Sequence, residues 1–171
     1  MSRPGRRVSS FNKAGSAGVT LIELLVTLVI LAILADAALP YAQMTVRRTR
    51  EIELHHALRE IRTAIDRFHE DWATGRIPHT SGIASRNGYP RTLAELVHGV
   101  RATGPRGGTI RYLRRIPPDP FADPRLPANR QWLLRGYDDS LSATTWDGKD
   151  VYDVHCTSNQ RALNGARYRN W

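Results

Sequence analysis

The chain has 171 residues, of which 41% are hydrophobic and 24% are charged. These fractions are typical of one folded domain, so they argue against wholesale disorder, a multi-pass membrane protein and a large multidomain enzyme. Cys156 is the only cysteine, which excludes an intramolecular disulfide bond and a four-cysteine zinc site.

The charge of the chain is strongly positive, because 25 basic residues oppose 16 acidic ones and give a formal charge of +9. Four of the basic residues, and no acidic residue, lie in residues 1–18, so removal of that segment would lower the formal charge to +5. Basic proteins often bind nucleic acids or anionic membranes. The lower charge of the remaining chain weakens the nucleic-acid interpretation.

A polar, basic segment at residues 1–18 precedes an apolar run at 19–39, which only Thr20, Glu23, Thr27 and Asp36 interrupt. A helix needs about 20 residues to cross a bilayer core of roughly 30 Å. The run is therefore long enough to span a membrane.

A second interpretation of this run is a cleavable secretory signal. The uncharged stretch 24–35 has 12 residues, and Ala35, Asp36 and Ala37 form an Ala-x-Ala site. Both features are typical of a signal peptide. Cleavage there would release a soluble secreted domain that begins at Ala38.

Glu23 distinguishes the two interpretations. A carboxylate near the start of a membrane helix costs a few kcal/mol, roughly, unless it is neutral or paired. Cleavage between Gly18 and Val19 would create an α-amino group four residues before Glu23, about one helical turn away. Between neighbouring helices that are staggered along an axis, these two charges would meet directly.

The segment around Glu23 resembles the class III signal of type IV pilins and type II secretion pseudopilins. It consists of a basic leader, the sequence Gly18-Val19-Thr20-Leu21-Ile22-Glu23 and an apolar helix that runs to Pro40. The resemblance implies that prepilin peptidase removes residues 1–18 and N-methylates Val19. It also implies that Glu23 promotes assembly of subunits into a filament and that Pro40 bends the helix.

The orientation in the membrane follows from the resemblance. Four Lys or Arg residues precede the span, and Arg47, Arg48, Arg50 and Arg59 follow it, so the positive-inside rule does not decide. The resemblance implies a single-pass protein of the inner membrane, with the leader in the cytoplasm and the C-terminal domain in the periplasm.

Beyond Pro40 an apolar stripe predicts that the helix continues to residue 72, with its membrane-spanning part at about 19–39. The stripe consists of Leu54, Leu58, Ile61, Ile65, Phe68 and Trp72, which recur at steps of three and four. Fewer than three heptads are present, so we expect the stripe to pack against a sheet of the same chain rather than in a coiled coil.

Residues 73–171 are predicted to form a globular head. Glycine and proline mark loops at 73–91 and up to Gly108. Between them Thr92 and Glu95 form a capping box before a short helix near 92–98, which Gly99 ends. Alternating apolar residues predict strands at 110–116, 132–134 and 152–156 in one small antiparallel sheet. The predicted class is α+β, with the long helix packed on that sheet.

The tail resembles the major, protein G-like pseudopilin of type II secretion. The resemblance rests on the turn Pro117-Pro118-Asp119-Pro120-Phe121 and on the terminal Trp171. In that family a loop often binds calcium, and the resemblance makes Asp153 and Ser158 the candidate ligands of Ca²⁺. Asn159 and Asn164 stand where acidic ligands are expected, which weakens the attraction for the ion.

These features predict a structural subunit rather than an enzyme, since the sequence holds no phosphate-loop, zinc-protease or serine-hydrolase motif. The expected function is assembly of a pseudopilus that promotes protein export across the outer membrane. The implied partners are other copies of the chain, other pseudopilins, prepilin peptidase and the inner-membrane secretion platform; nucleic acid is not expected.

Type IV pilins usually carry a C-terminal disulfide bond, which a single cysteine cannot form. A type IV pilin for adhesion, motility or DNA uptake remains the first alternative, and the soluble domain cut after Ala37 the second.

Overall fold

A computed structural model describes residues 18–80, 82–104, 107–140, 143 and 145–171, without the side chains of residues 37–40. The chain divides into two compact units, Met1–Gln43 and Met44–Trp171. The leader predicted at residues 1–18 lies outside the described residues except for Gly18.

The described residues form two α-helices and four short strands. Their bounds are α1 Leu21–Ala73, α2 Leu93–His98, β1 Val100–Arg101, β2 Thr109–Ile110, β3 Trp132–Arg135 and β4 Asp153–Cys156. Two single-turn 3₁₀ helices occupy Ala128–Arg130 and Tyr168–Asn170. The long helix and the small antiparallel sheets confirm the predicted α+β class.

The apolar stripe of α1 forms the core of the unit Met44–Trp171. Leu54, Leu58, Ile61, Ile65 and Phe68 expose at most 2% of their surface, and Trp72 packs at the edge of the same cluster. The cluster also contains the buried side chains Leu93, Leu96, Val100, Trp132, Val154, Cys156 and Tyr168. The prediction that this stripe is buried within the same chain is therefore confirmed.

Helix α2 lies where the capping box predicts a helix. The Glu95 carboxylate accepts hydrogen bonds from the backbone N–H groups of Arg91 and Thr92, at 2.7 and 3.2 Å. Gly99 ends the helix with φ at 81°, and a Cβ at this position would lie 2.5 Å from the carbonyl oxygen of Ile110. A glycine is thus needed where the chain turns from α2 into β1.

Within the part of the chain that the structure describes, the strands form two separate sheets of two strands each, so the predicted single sheet of three strands is wrong. Strand β1 pairs antiparallel with β2, with Val100 opposite Ile110. Strand β3 pairs antiparallel with β4, with Trp132 opposite Cys156 and Arg135 opposite Asp153.

The strand predicted at 110–116 is also wrong, because β2 ends at Ile110. The backbone N–H groups of Tyr112 and Leu113 both donate to the carbonyl oxygen of Leu96, each at 3.0 Å. These amides therefore bind the end of α2 instead of continuing a ladder. Strand β1 was missed, because it lies in a segment predicted to be a loop.

Candidate assembly site

Glu23 lies in the first turn of α1, and Val19 lies two residues before the start of the helix. Thr20 caps this end: its Oγ1 atom accepts from the backbone N–H of Glu23 at 3.3 Å, and its carbonyl oxygen accepts from Leu24 at 3.1 Å. The helix begins at Leu21 and carries Glu23 as the acidic residue of its first turn. The positive end of the helix dipole favours a carboxylate there.

Glu23 is exposed in the single chain, whereas the nearby hydroxyl groups are used within the helix. The Oγ1 atom of Thr20 caps the first turn, and that of Thr27 donates to the carbonyl oxygen of Leu24 at 2.9 Å. Such local bonds let threonine enter an apolar environment without an unpaired hydroxyl group. The Glu23 carboxylate is accessible to a group on another molecule.

The N-terminal part of α1 presents apolar side chains on all of its faces. Twelve large apolar side chains between Val19 and Leu34 expose 46–83% of their surface. This is the one helix, among the described residues, that is long and apolar enough to cross a membrane. A helix that is apolar all round requires a lipid or protein environment.

Asp36 and Pro40 lie towards the end of this apolar segment. The Asp36 side chain is exposed, and α1 continues through Pro40 to Ala73. The Pro40 side chain lies outside the described residues, so the predicted bend of the helix stays a prediction.

Gly18 stands just before the helix in an open environment. No atom lies within 4 Å of the position that a Cβ would occupy on Gly18. The fold itself therefore imposes no requirement for glycine at this position.

The candidate calcium ligands Asp153 and Ser158 already have partners within the chain. Oδ1 of Asp153 accepts from Nε of Arg62 at 2.7 Å, and its Oδ2 accepts from Nη2 of Arg135 at 3.0 Å. Oγ of Ser158 accepts from the backbone N–H of Gln160 at 3.4 Å. The described residues contain no group of three His, Cys, Asp or Glu side chains placed to hold a metal.

The two asparagines near these ligands also have local roles. Oδ1 of Asn159 accepts from Arg167 at 2.8 Å, and Oδ1 of Asn164 accepts from the backbone of Ala166 at 3.0 Å. In the loop before β4, two aspartates bind backbone instead: Asp139 accepts from Gly136 at 2.7 Å and Asp150 accepts from Tyr137 at 2.8 Å. These carboxylates shape the loop.

Comparison with known proteins identifies one matching family model. Residues 13–35 match the prokaryotic N-terminal methylation motif, a span that contains Gly18, Val19 and Glu23. The motif supports the type IV pilin-like superfamily, and it implies processing by prepilin peptidase and assembly into filaments. No curated protein and no solved structure matches the chain.

Proposed function

We propose that this chain is a structural subunit of the type II secretion pseudopilus. It is made as a prepilin, held in the inner membrane by residues 19–39 with its C-terminal domain in the periplasm, and built into a short filament that promotes protein export across the outer membrane. It acts by assembly and not by catalysis. The observation that carries the proposal is the solvent-exposed apolar helix whose first turn holds an exposed Glu23, a few residues after the Gly18–Val19 junction.

Burial of the apolar helix drives assembly in this proposal. A large aliphatic side chain gains about 1.5–3 kcal/mol when it leaves water completely. Exposure of the twelve side chains to water is therefore strongly unfavourable, so the helix passes from lipid directly into the packed centre of the filament. There it packs against the same segment of other copies.

The Glu23 carboxylate selects the register of this packing. A charge in an apolar environment costs several kcal/mol, roughly, unless an opposite charge lies beside it. The methylated α-amino group of Val19 on a neighbouring copy supplies that charge once the leader is removed. A subunit in another register would bury Glu23 without a partner.

The single cysteine favours a pseudopilin over a type IV pilin. Cys156 lies in β4 with 0% of its surface exposed, so it serves packing. The disulfide bond that usually closes the C-terminal region of type IV pilins is therefore replaced here by non-covalent contacts.

Deletion of the gene should abolish export of folded proteins across the outer membrane. Normal export with loss of adhesion, motility or DNA uptake would assign the chain to a type IV pilus instead.

Mass analysis of the mature N-terminus tests the processing step. We expect a mature chain that begins with N-methylated Val19. A chain that begins at Ala38 would establish the soluble secreted domain, and a chain that keeps residues 1–18 would contradict the proposal.

The variant Glu23→Ala tests the assembly step separately. It should be processed and inserted into the membrane normally, but it should form no filaments, because the Val19 amine then has no carboxylate to bind. The control is Glu53→Ala, which removes an exposed carboxylate from the same helix outside the apolar segment. Normal filaments from Glu23→Ala would contradict the proposed charge pairing.

Calcium binding at Asp153 and Ser158 stays a proposal that the resemblance supports. Binding would require the Asp153 carboxylate to exchange at least one guanidinium group for the ion. Addition of Ca²⁺ to the full chain in detergent should then raise its melting temperature, and a chelator should reverse the change. Ser158→Ala should weaken the response while it leaves the ion pairs of Asp153 in place. A melting temperature that ignores both Ca²⁺ and chelator would contradict the site.

A further inference from the structure

Three tyrosine side chains pack together at the surface of the unit Met44–Trp171. The rings of Tyr89 and Tyr152 meet edge to face at 5.1 Å, and those of Tyr137 and Tyr152 at 5.5 Å. Tyr89 is buried beneath the other two, which expose 53% and 40% of their surface. With the exposed Asp138 beside Tyr137, we call this surface the tyrosine patch.

Carboxylates lie close to the tyrosine patch and favour cations there, although Lys149 offsets part of the charge of Asp138. Burial raises the pKa of Tyr89, and electrostatic interactions raise it further, first with Tyr152 and Tyr137 and then with Asp66 and Asp150. The patch already binds one guanidinium group, since the Arg135 side chain lies over the Tyr152 ring, 5.6 Å from its centre. The face of a tyrosine ring attracts cations, and arginine side chains lie over aromatic rings more often than lysine side chains do.

A second surface of the same unit carries the opposite charge. A groove of about 490 Å³ lies between α1 and the segment after β2, and its exposed arginines are Arg59, Arg67 and Arg114. His56 and Glu60 also line it. Leu113, next to Arg114, is held by its backbone bond to Leu96, so the groove has a fixed wall. We call it the basic groove.

The two surfaces lie on opposite flanks of α1. His69 stacks on Tyr89 with ring centres 4.3 Å apart, whereas Arg67 lines the basic groove. Two residues correspond to a rotation of about 200° around the axis of an α-helix, so these two side chains point to nearly opposite sides. One copy can therefore offer the tyrosine patch to one neighbour and the basic groove to another. A head-to-tail contact of this kind joins two different surfaces, so it can repeat from copy to copy along a filament.

We propose that the tyrosine patch of one subunit binds arginines from the basic groove of the next copy in the filament. The proposal rests on the proposed filament function. Its basis is the complementary charge of the two surfaces and their placement on opposite flanks of one helix. The mature chain carries a formal charge of +5, so copies repel each other at long range and this contact restricts the register in which they dock.

A charge-reversal cycle tests the contact in the full-length chain. Asp138→Arg and Arg114→Asp should each lower the filament yield about tenfold, a change that corresponds to about 1.4 kcal/mol of contact free energy. The double variant should recover most of the yield, because the two charges are then exchanged. Arg130→Asp, the same charge change at an exposed arginine outside the groove, should assemble normally. A double variant no better than the single ones, or an equal loss from Arg130→Asp, would overturn the proposal.

Disulfide cross-linking gives an independent readout. Tyr137→Cys and Arg114→Cys in one chain should give a ladder of covalent multimers in the periplasm, and each single variant should give none. Because Cys156 is buried, it should not contribute. Dimers from a single variant would indicate contact between identical surfaces and would overturn the proposal.

The failure of this contact and the failure of the proposed function are distinguishable. If the wild-type chain forms filaments but the chain with Tyr137→Cys and Arg114→Cys gives no covalent ladder, the proposed contact is overturned and the filament function still holds. A wild-type chain without methylated Val19 and without filaments would overturn the function itself. A third outcome would show that the basic groove binds nucleic acid instead. In that case the wild-type chain would retain DNA, and Arg114→Asp would lose the DNA without any change in filament yield.

Discussion

The hydroxyl group of Tyr168 donates a hydrogen bond to Oε1 of Glu51 at 2.7 Å, across 117 residues of sequence. The same hydroxyl oxygen accepts from Nε of Arg47 at 3.0 Å. Oε1 of Glu51 also accepts from the backbone of Leu163 at 2.8 Å. These bonds fasten the C-terminal segment to α1 without any covalent link.

Tyr168→Phe should lower the free energy of unfolding of the unit Met44–Trp171 by about 1–2 kcal/mol. The ring remains in the core, but Glu51 and Arg47 lose the hydroxyl group that lies between them. Urea unfolding of the full chain in detergent, followed by tryptophan fluorescence, measures the change. Tyr137→Phe is the matched control, because Tyr137 is exposed. Equal effects of the two substitutions would contradict the role of the Tyr168 hydroxyl group.

Asp153→Asn should lower the free energy of unfolding by about 2 kcal/mol. The carboxylate lies between Arg62 and Arg135, and its loss leaves two guanidinium groups without the charge that they share. Arg62 would retain its bonds to the carbonyl oxygens of Val154 and Trp171, which limits the loss.

The control for Asp153 is Asp147→Asn. Asp147 pairs with the exposed Lys149 at 2.9 Å, and exposed ion pairs contribute little. Thermal unfolding of both variants at the same pH compares them. A loss from Asp147→Asn as large as that from Asp153→Asn would contradict the structural role of the Asp153 pairs.

Cys156 should be protected from thiol reagents in the folded chain. Its side chain is buried, and that burial raises the pKa of the thiol to about 12. At pH 8 the thiol is therefore almost fully protonated and shielded, and iodoacetamide should modify it only after denaturation. Rapid modification of the native chain at pH 8 would contradict this prediction.

The raised pKa of Cys156 also predicts how stability depends on pH. In the unfolded chain the thiol ionises above about pH 8.5, whereas in the folded chain it keeps its proton. Above that pH the folded state binds more protons, so the free energy of unfolding falls as the pH rises from 8 to 10. Cys156→Ser should make this decrease smaller, and the remaining decrease comes from groups such as Tyr89, Tyr112 and Tyr168, whose pKa values are also raised in the folded chain. An unchanged slope in that variant would assign it to other groups.

The helices could be predicted from the sequence because their signals are local. The steps of three and four in the apolar stripe indicate which face of α1 is buried, and Leu54 and Phe68 lie fully in the core. The capping box of Thr92 and Glu95 and the stop at Gly99 likewise depend on neighbours within one or two turns.

The strands and the docking surfaces depend on distant partners that no local pattern reveals. Alternation at Ile110, Tyr112 and Ile116 is typical of a strand, but the carbonyl oxygen of Leu96 takes the amides that a ladder would need. The two residues of β1 are too few to show a period. Tyr89, Tyr137 and Tyr152 come from three separate segments, so only folding brings them into one patch.

The sequence signal of the candidate assembly site is local, whereas the surroundings of the candidate calcium ligand Asp153 depend on distant residues. Gly18, Val19 and Glu23 lie within six residues, and their order alone carries the signal. The partners of Asp153 lie at Arg62 and Arg135, 91 and 18 residues away. Sequence order could not indicate that two guanidinium groups would occupy this carboxylate.

Gly18→Val should block removal of the leader without disturbing the fold. No atom lies within 4 Å of the space beside Gly18, so valine fits there in the chain itself. Any effect must then come from the peptidase, whose site would have to accept a branched side chain next to the bond that it cuts. Gly108→Ala is a matched control, because the space beside Gly108 is equally open, and it should be processed normally. Gel mobility and mass analysis distinguish the two chain lengths. A Gly18→Val chain that begins with methylated Val19 would contradict cleavage at a glycine-dependent site.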